Sequence, residues 1–215
     1  RRARERGFEV YLHDWGHTTG GEGMNDPQSS AYAAARTRDT LEHFPEINGF
    51  ITDGPEWGYE IEPGNRQYAF RPLTRHDRER AKEWGYDYHA LETGAGRFRT
   101  FLGSLSPERV ELLRATRAGL FDAADLFSAD PEMAAWLAFR QHSVRAWIEV
   151  LYRTVKEVSE EVQVACGPRT SAFAPLAGYN LRHLTEVTDF LCPKLYFWAQ
   201  GHDGLKGTLH RWACT

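Results

Sequence analysis

Long apolar runs are missing from this chain. Nowhere in its 215 residues do about 18 apolar side chains follow one another, so no membrane-spanning helix is expected. Cysteine is scarce: Cys166, Cys192 and Cys214 make an odd count with no C-x-x-C pair, which argues against a disulfide framework or a structural zinc site. The three thiols read as buried or half-buried groups near strand ends. An excess of basic charge is lacking too. The balance is 26 Lys and Arg against 30 Asp and Glu, or −4, and nonspecific nucleic-acid binding needs a basic face. No P-loop, H-E-x-x-H, G-x-S-x-G or EF-hand pattern occurs. Gly20-Gly21-Glu22-Gly23 does not have the G-x-G-x-x-G spacing of a dinucleotide fold and reads as loop.

What is present is ordinary globular composition, 41% hydrophobic and 26% charged, with an aromatic share of 13% that includes seven Trp. Trp lines sugar sites and interfaces as well as cores. The opening Arg1-Arg2-Ala3-Arg4-Glu5-Arg6-Gly7 reads as a last helical turn, basic residues suiting a helix C-terminus and Gly7 its left-handed stop. With no terminating element after His210, the chain reads as a piece of a longer protein, its compartment (cytoplasmic or secreted) and oligomeric state open.

The order of elements sets the fold class. Phe8–Leu12 predicts a strand, and Asp26-Pro27 a helix start running to Pro45. Ile47–Asp53 predicts a second strand. Ser106-Pro107 and Asp130-Pro131 are further helix starts, the latter opening a long helix with a wide apolar stripe to Val158. Val162–Cys166, Asn180–Val187 and Asp189–Tyr196 predict strand, short helix and strand. The Arg/Glu runs from Arg75 to Glu83 and Glu108 to Arg117 read as solvated helix faces. Alternation of this kind implies parallel strands joined by crossovers, either an open doubly wound sheet or a (β/α)8 barrel. Polar and aromatic residues crowd the C-terminal end of each strand, where barrels place their chemistry. The expectation is therefore an α/β fold: a partial (β/α)8 TIM barrel of about four strands. It forms one incomplete domain over 1–215, with a helical and loop insertion at 71–129 after the second strand.

The sharpest segment is Thr52-Asp53-Gly54-Pro55-Glu56-Trp57. Two carboxylates within three residues of a strand end, beside a Trp, suit glycoside hydrolysis, which needs a proton donor and a second carboxylate about an oxocarbenium-like centre. The plainer alternative makes Asp53 a turn cap and Glu56 a solvated loop residue. His13, Asp14, Trp15 and His17 follow the first strand into a Gly-rich loop. Hydrogen bonding to substrate hydroxyls ranks first for them, core packing second, and a metal shared with Asp53 third. Arg169 orients a carboxylate, binds an anion or forms a structural ion pair. Lys194, in an apolar strand, needs a partner. An ion pair with Asp53 or Glu56 is the economical reading, and a Schiff-base lysine the alternative. Tyr196 and Trp198 sit at the same strand end.

The phrase FPEINGFITDGPEWGYEI resembles the fourth-strand region of glycoside-hydrolase-like (β/α)8 proteins. WLAFRQHSVRAWIEVLYRTVKE is similar to the long helix that follows there, and DFLCPKLYFW to a later strand. The resemblance covers most of the chain outside about 71–129. It implies that Asp53 or Glu56 occupies the place of a catalytic carboxylate. Where retaining hydrolases have adjacent Asn-Glu, this chain has Asp53-Gly54 with Glu56 two residues on. Expected catalytic residues are Glu56 as proton donor and Asp53 as partner or orienter. His13, Asp14, Trp15, His17, Trp57, Arg169, Lys194, Tyr196 and Trp198 are expected to line a carbohydrate site without metal or cofactor. The alternatives are a non-catalytic carbohydrate-binding barrel, or a metal- or lysine-dependent sugar isomerase or aldolase.

Overall fold

The computed structural model describes residues 2–14, 22–53, 55–57, 70–116, 129–168 and 174–194. They form a mixed α/β structure with a four-stranded, wholly parallel sheet. The strands are β1 (Tyr11–Asp14), β2 (Gly49–Thr52), β3 (Gln163–Cys166) and β4 (Phe190–Leu191), paired in the order β1-β2-β3-β4. The order does not reverse, so these strands contain no topological switch point. The chain divides into two compact units: residues 1–57 with 140–196, which hold the sheet, and 58–139 with 197–215.

In the sheet unit, α1 (Pro27–His43) begins where a cap is local and cheap to form. The Asp26 carboxylate accepts from the Gln28 N–H at 2.9 Å, and Pro27 lacks the N–H that would be orphaned. Its buried residues Ser29, Ala33, Thr37 and Leu41 recur every four positions and so share one face. Leu41 packs with Ile47, Phe50, Val155, Val162 and Val164, so one face of the sheet is covered by helical side chains. Phe50 is 1% exposed, and truncating a buried Phe costs about 3–5 kcal/mol.

The opposite face carries Tyr11, His13, Gly49, Ile51, Gln163 and Ala165, by register and the period-two alternation of strands. Gly49 is required there. A Cβ at Gly49 would lie 2.4 Å from the Tyr11 ring, which crosses β2 so that its hydroxyl donates to Gln163 Oε1 at 2.7 Å. The Tyr11 ring also meets Phe190 of β4 edge-on, centroids 5.7 Å apart, although two strands lie between them.

Two strands differ from expectation. β1 runs Tyr11–Asp14 rather than Phe8–Leu12, because Gly7 (φ 79°) closes a 3-10 turn at Arg4–Arg6 and the ladder to β2 starts only at Tyr11. His13 and Asp14 are therefore strand residues, not loop residues. β4 is only Phe190–Leu191, although the N–H groups of Cys192 and Lys194 continue to donate to the segment after β3. Lys194 thus follows the strand instead of lying within it.

In the second unit, α2 (Arg75–Glu83) opens with a capping box: Thr74 Oγ1 accepts from the Asp77 N–H, and the Asp77 carboxylate from the Thr74 N–H. α3 (Tyr88–Gly103), inside the segment expected as a helical and loop insertion but with no helix start read for it, and α4 (Pro107–Thr116) follow. α5 (Pro131–Val158) starts where Asp130 Oδ1 accepts from the N–H groups of Glu132 and Met133. Its first residues belong to this unit and those from Arg140 to the sheet unit. Among the described residues no helix is long and apolar enough to cross a membrane.

Candidate functional site

The strands are parallel, so their C-terminal ends share one edge of the sheet. Asp53 follows β2 and, by alternation, continues the face that carries His13 and Ile51. Its side chain is 12% exposed. Asp53 Oδ1 pairs with Lys194 Nζ, and Asp53 Oδ2 lies 3.6 Å from His13 Nε2. Lys194 is placed by its backbone. Cys192 and Lys194 donate their N–H groups to the carbonyls of Cys166 (2.8 Å) and Pro168 (2.9 Å) past the end of β3. Its stem passes over Gly167, where a Cβ would stand 3.9 Å from Lys194 Cε. The cation from the β4 end thus reaches across β3 to the carboxylate at the β2 end.

Glu56 lies three residues further on. Its Oε2 accepts from the Tyr179 hydroxyl at 3.3 Å, and Tyr179 is 1% exposed. The two segments are tied together: the Trp57 N–H donates to the Ala177 carbonyl at 3.0 Å, and the Tyr179 N–H to Ala174 at 2.8 Å. Cys166 closes β3 nearby and is wholly buried. Burial pushes its thiol far above the ordinary cysteine range, and the negative charges of Asp53 and Glu56 push the same way, while Lys194 opposes them. A thiol held protonated in this way is no nucleophile.

Of the residues expected in the site, Asp53, Glu56, His13 and Lys194 gather at this edge. Asp14 ends β1 opposite Thr52. Trp57, expected as an aromatic platform for sugar, is 5% exposed. The Arg140 guanidinium lies 5.4 Å from its ring centroid and donates to its backbone carbonyl, and Gly178 abuts its edge. Its indole is therefore packed into the interior instead of being offered as a platform. Trp15, His17, Arg169, Tyr196 and Trp198 lie outside the described residues. Of the cysteines, Cys166 is buried as expected near a strand end, Cys192 is exposed, and Cys214 lies outside.

Two residues of this constellation escaped the sequence reading. Arg140 had a signal: it falls between Leu137 and Val144 on the apolar stripe of α5, where a charge demands a partner. Tyr179, in Ala177-Gly178-Tyr179-Asn180, had none. Among the described residues no three His, Cys, Asp or Glu side chains are grouped to hold a metal ion.

The cluster can hold one carboxylate (Asp53) in charge-assisted contacts while presenting a second carboxyl group (Glu56) against a phenol. It places the Lys194 ammonium against Asp53 and the His13 imidazole 3.6 Å from it. No family model matches the chain, and no curated protein or solved structure matches it either.

Proposed function

We propose that this chain is part of a carbohydrate-active hydrolase whose four strands are consecutive units of a (β/α)8 barrel. Glu56 serves as proton donor. Asp53, held by Lys194 and His13, binds and orients the sugar. The observation that carries the reading is the presence of two carboxyl groups, Asp53 and Glu56, three residues apart at the end of β2. Asp53 pairs with the Lys194 ammonium, and the Glu56 carboxyl group accepts from the Tyr179 hydroxyl. Glycosidic cleavage needs one carboxyl group that gives a proton to the leaving oxygen, the role given to Glu56, and a second that stays ionised.

Three features support the barrel. The strand order runs in sequence without reversal. The polar cluster sits at the C-terminal edge, as in barrel enzymes. Tyr11 and Phe190 meet across the face away from the helical side chains of Leu41 and Val155, which a sheet curling toward that face allows. Four strands supply half of such a barrel, and the carboxylate that completes the mechanism belongs to another strand end. The engagement of Lys194 with Asp53 favours sugar binding by this lysine over carbonyl attack.

The test is Glu56→Gln in the complete protein, assayed on a panel of nitrophenyl glycosides. Loss of general-acid catalysis should lower turnover about 10²–10⁴-fold on poor leaving groups. The loss should be far smaller on dinitrophenyl glycosides, which leave without a proton. An equal loss on both, or unchanged turnover, removes the donor role from Glu56. Sugar binding that quenches Trp fluorescence, with no turnover of any substrate, would instead make this a binding barrel.

A further inference from the structure

We propose that the second unit binds a small ring compound bearing an oxyanion, a carboxylate or a phosphate ester, in a cavity walled by Arg71, Arg78 and Arg99. The cavity is about 310 Å³ and shares no residue with the cluster around Asp53. That volume is at the lower end of the range of about 300–1,000 Å³ common for small-molecule sites.

Its charge is unbalanced in one direction. Three guanidinium groups face a single acidic lining residue, Glu92. Two of the arginines are fixed in place. Arg71 Nη1 donates to the fully buried Asp77 carboxylate at 3.1 Å. Arg78 forks onto Glu92 at 2.8 and 3.2 Å and lies over the Tyr88 ring. Among the described residues Arg99 has no hydrogen bond or ion pair, and it lines the cavity. Planar guanidinium donors match carboxylate and phosphate oxygens in pairs.

The apolar part of the wall is formed by the edges of two buried rings that stack on each other. Phe70 and Trp136 are stacked, 5.7 Å between centroids and 11° between planes, and both line the cavity. The glycines of α3 add an independent observation. Gly94 has a packing reason: a Cβ there would meet the Glu132–Met133 backbone at 2.5 Å. Gly96 has none, since a Cβ there meets nothing within 4 Å, and it lines the cavity. Gly96 is exposed, so at this position the rim of the cavity is left open.

Calorimetric titration of the full chain with benzoate, phenyl phosphate and neutral benzyl alcohol tests this. Saturable binding of benzoate or phenyl phosphate is expected, with benzyl alcohol at least about tenfold weaker; which anion binds tighter identifies the ligand class. Arg99→Gln should weaken binding about tenfold, the loss of one charge-assisted contact. Gly96→Leu should weaken it about tenfold or more by obstructing the rim of the cavity. Arg99 is exposed and the Cβ site of Gly96 is empty, so both variants should fold, and an unchanged circular dichroism spectrum checks this. Gly96→Ala, which keeps most of the volume, should still bind. Binding absent up to about 10 mM, benzyl alcohol binding as tightly as the anions, or full affinity in both Arg99→Gln and Gly96→Leu would each overturn the proposal.

Discussion

Replacing Lys194 with Met strands the Asp53 carboxylate. Asp53 is 12% and Lys194 20% exposed, so the pair lies between two known limits. Removing one partner of a fully buried pair costs about 3–5 kcal/mol, whereas exposed pairs are worth about 0–1 kcal/mol. Lys194→Met should therefore cost about 2 kcal/mol. For a chain of this length that is a fall in Tm of about 4–8 °C. Most of the loss is the desolvated charge left behind, with only His13 Nε2 at 3.6 Å to face it among the described residues. Adding Asp53→Asn to the lysine variant removes that charge and should restore about half of the loss. Urea unfolding of the wild type, both single variants and the double variant gives the coupling energy directly. A coupling of about 1–2 kcal/mol is expected. If the single losses add to the double within about 0.5 kcal/mol, the two groups do not communicate, and the orienting role given to Asp53 fails with them.

Two further outcomes follow from the geometry. Gly178 has φ +89°, and a Cβ there would lie 2.8 Å from Trp57 Cδ1 and 2.9 Å from Val144 Cγ2. Gly178→Ala should destabilise by about 2–4 kcal/mol in chemical unfolding, from the left-handed backbone and the overpacking together; a loss below about 1 kcal/mol would contradict this packing. Asp130 provides a pH test. The Arg97 guanidinium, at 2.6 and 2.8 Å, with the N–H groups of Met133 and Glu132, holds its carboxyl at about 2 against an ordinary 3.8. Because the folded value is depressed, the unfolded chain binds the extra proton first as pH falls. The stabilisation is complete above about pH 4 and is lost toward pH 2. The Tm difference between wild type and Asp130→Asn should be largest near neutrality and vanish by about pH 2, and a difference constant with pH would refute the assignment.

The starts of the long helices were legible because capping is local. Asp26-Pro27 and Asp130-Pro131 satisfy N–H groups two and three residues ahead, so the residues that decide the helix start are adjacent in sequence. The strands β2 and β3 were legible for a similar reason, since a short apolar run between helical segments has few other fates. The extents of β1 and β4 were not, because a strand is as long as the ladder its neighbour offers. α3 was expected only within a general helical and loop insertion, its own period blurred by Gly94, Gly96 and Gly103.

By itself, the sequence determined the alternation of strands and helices, the helix starts, and the concentration of acidic residues at the end of β2. Each of these depends on residues a few positions apart. Tertiary structure alone decided which groups meet there. Lys194 reaches Asp53 over 141 positions, and Tyr179 reaches Glu56 over 123. It also turned Trp57 inward, under an arginine 83 positions away. Apolar periodicity records only that a side chain faces the core. The partner it finds depends on strand order, register and the path of the intervening chain, and these exist only once the sheet has formed.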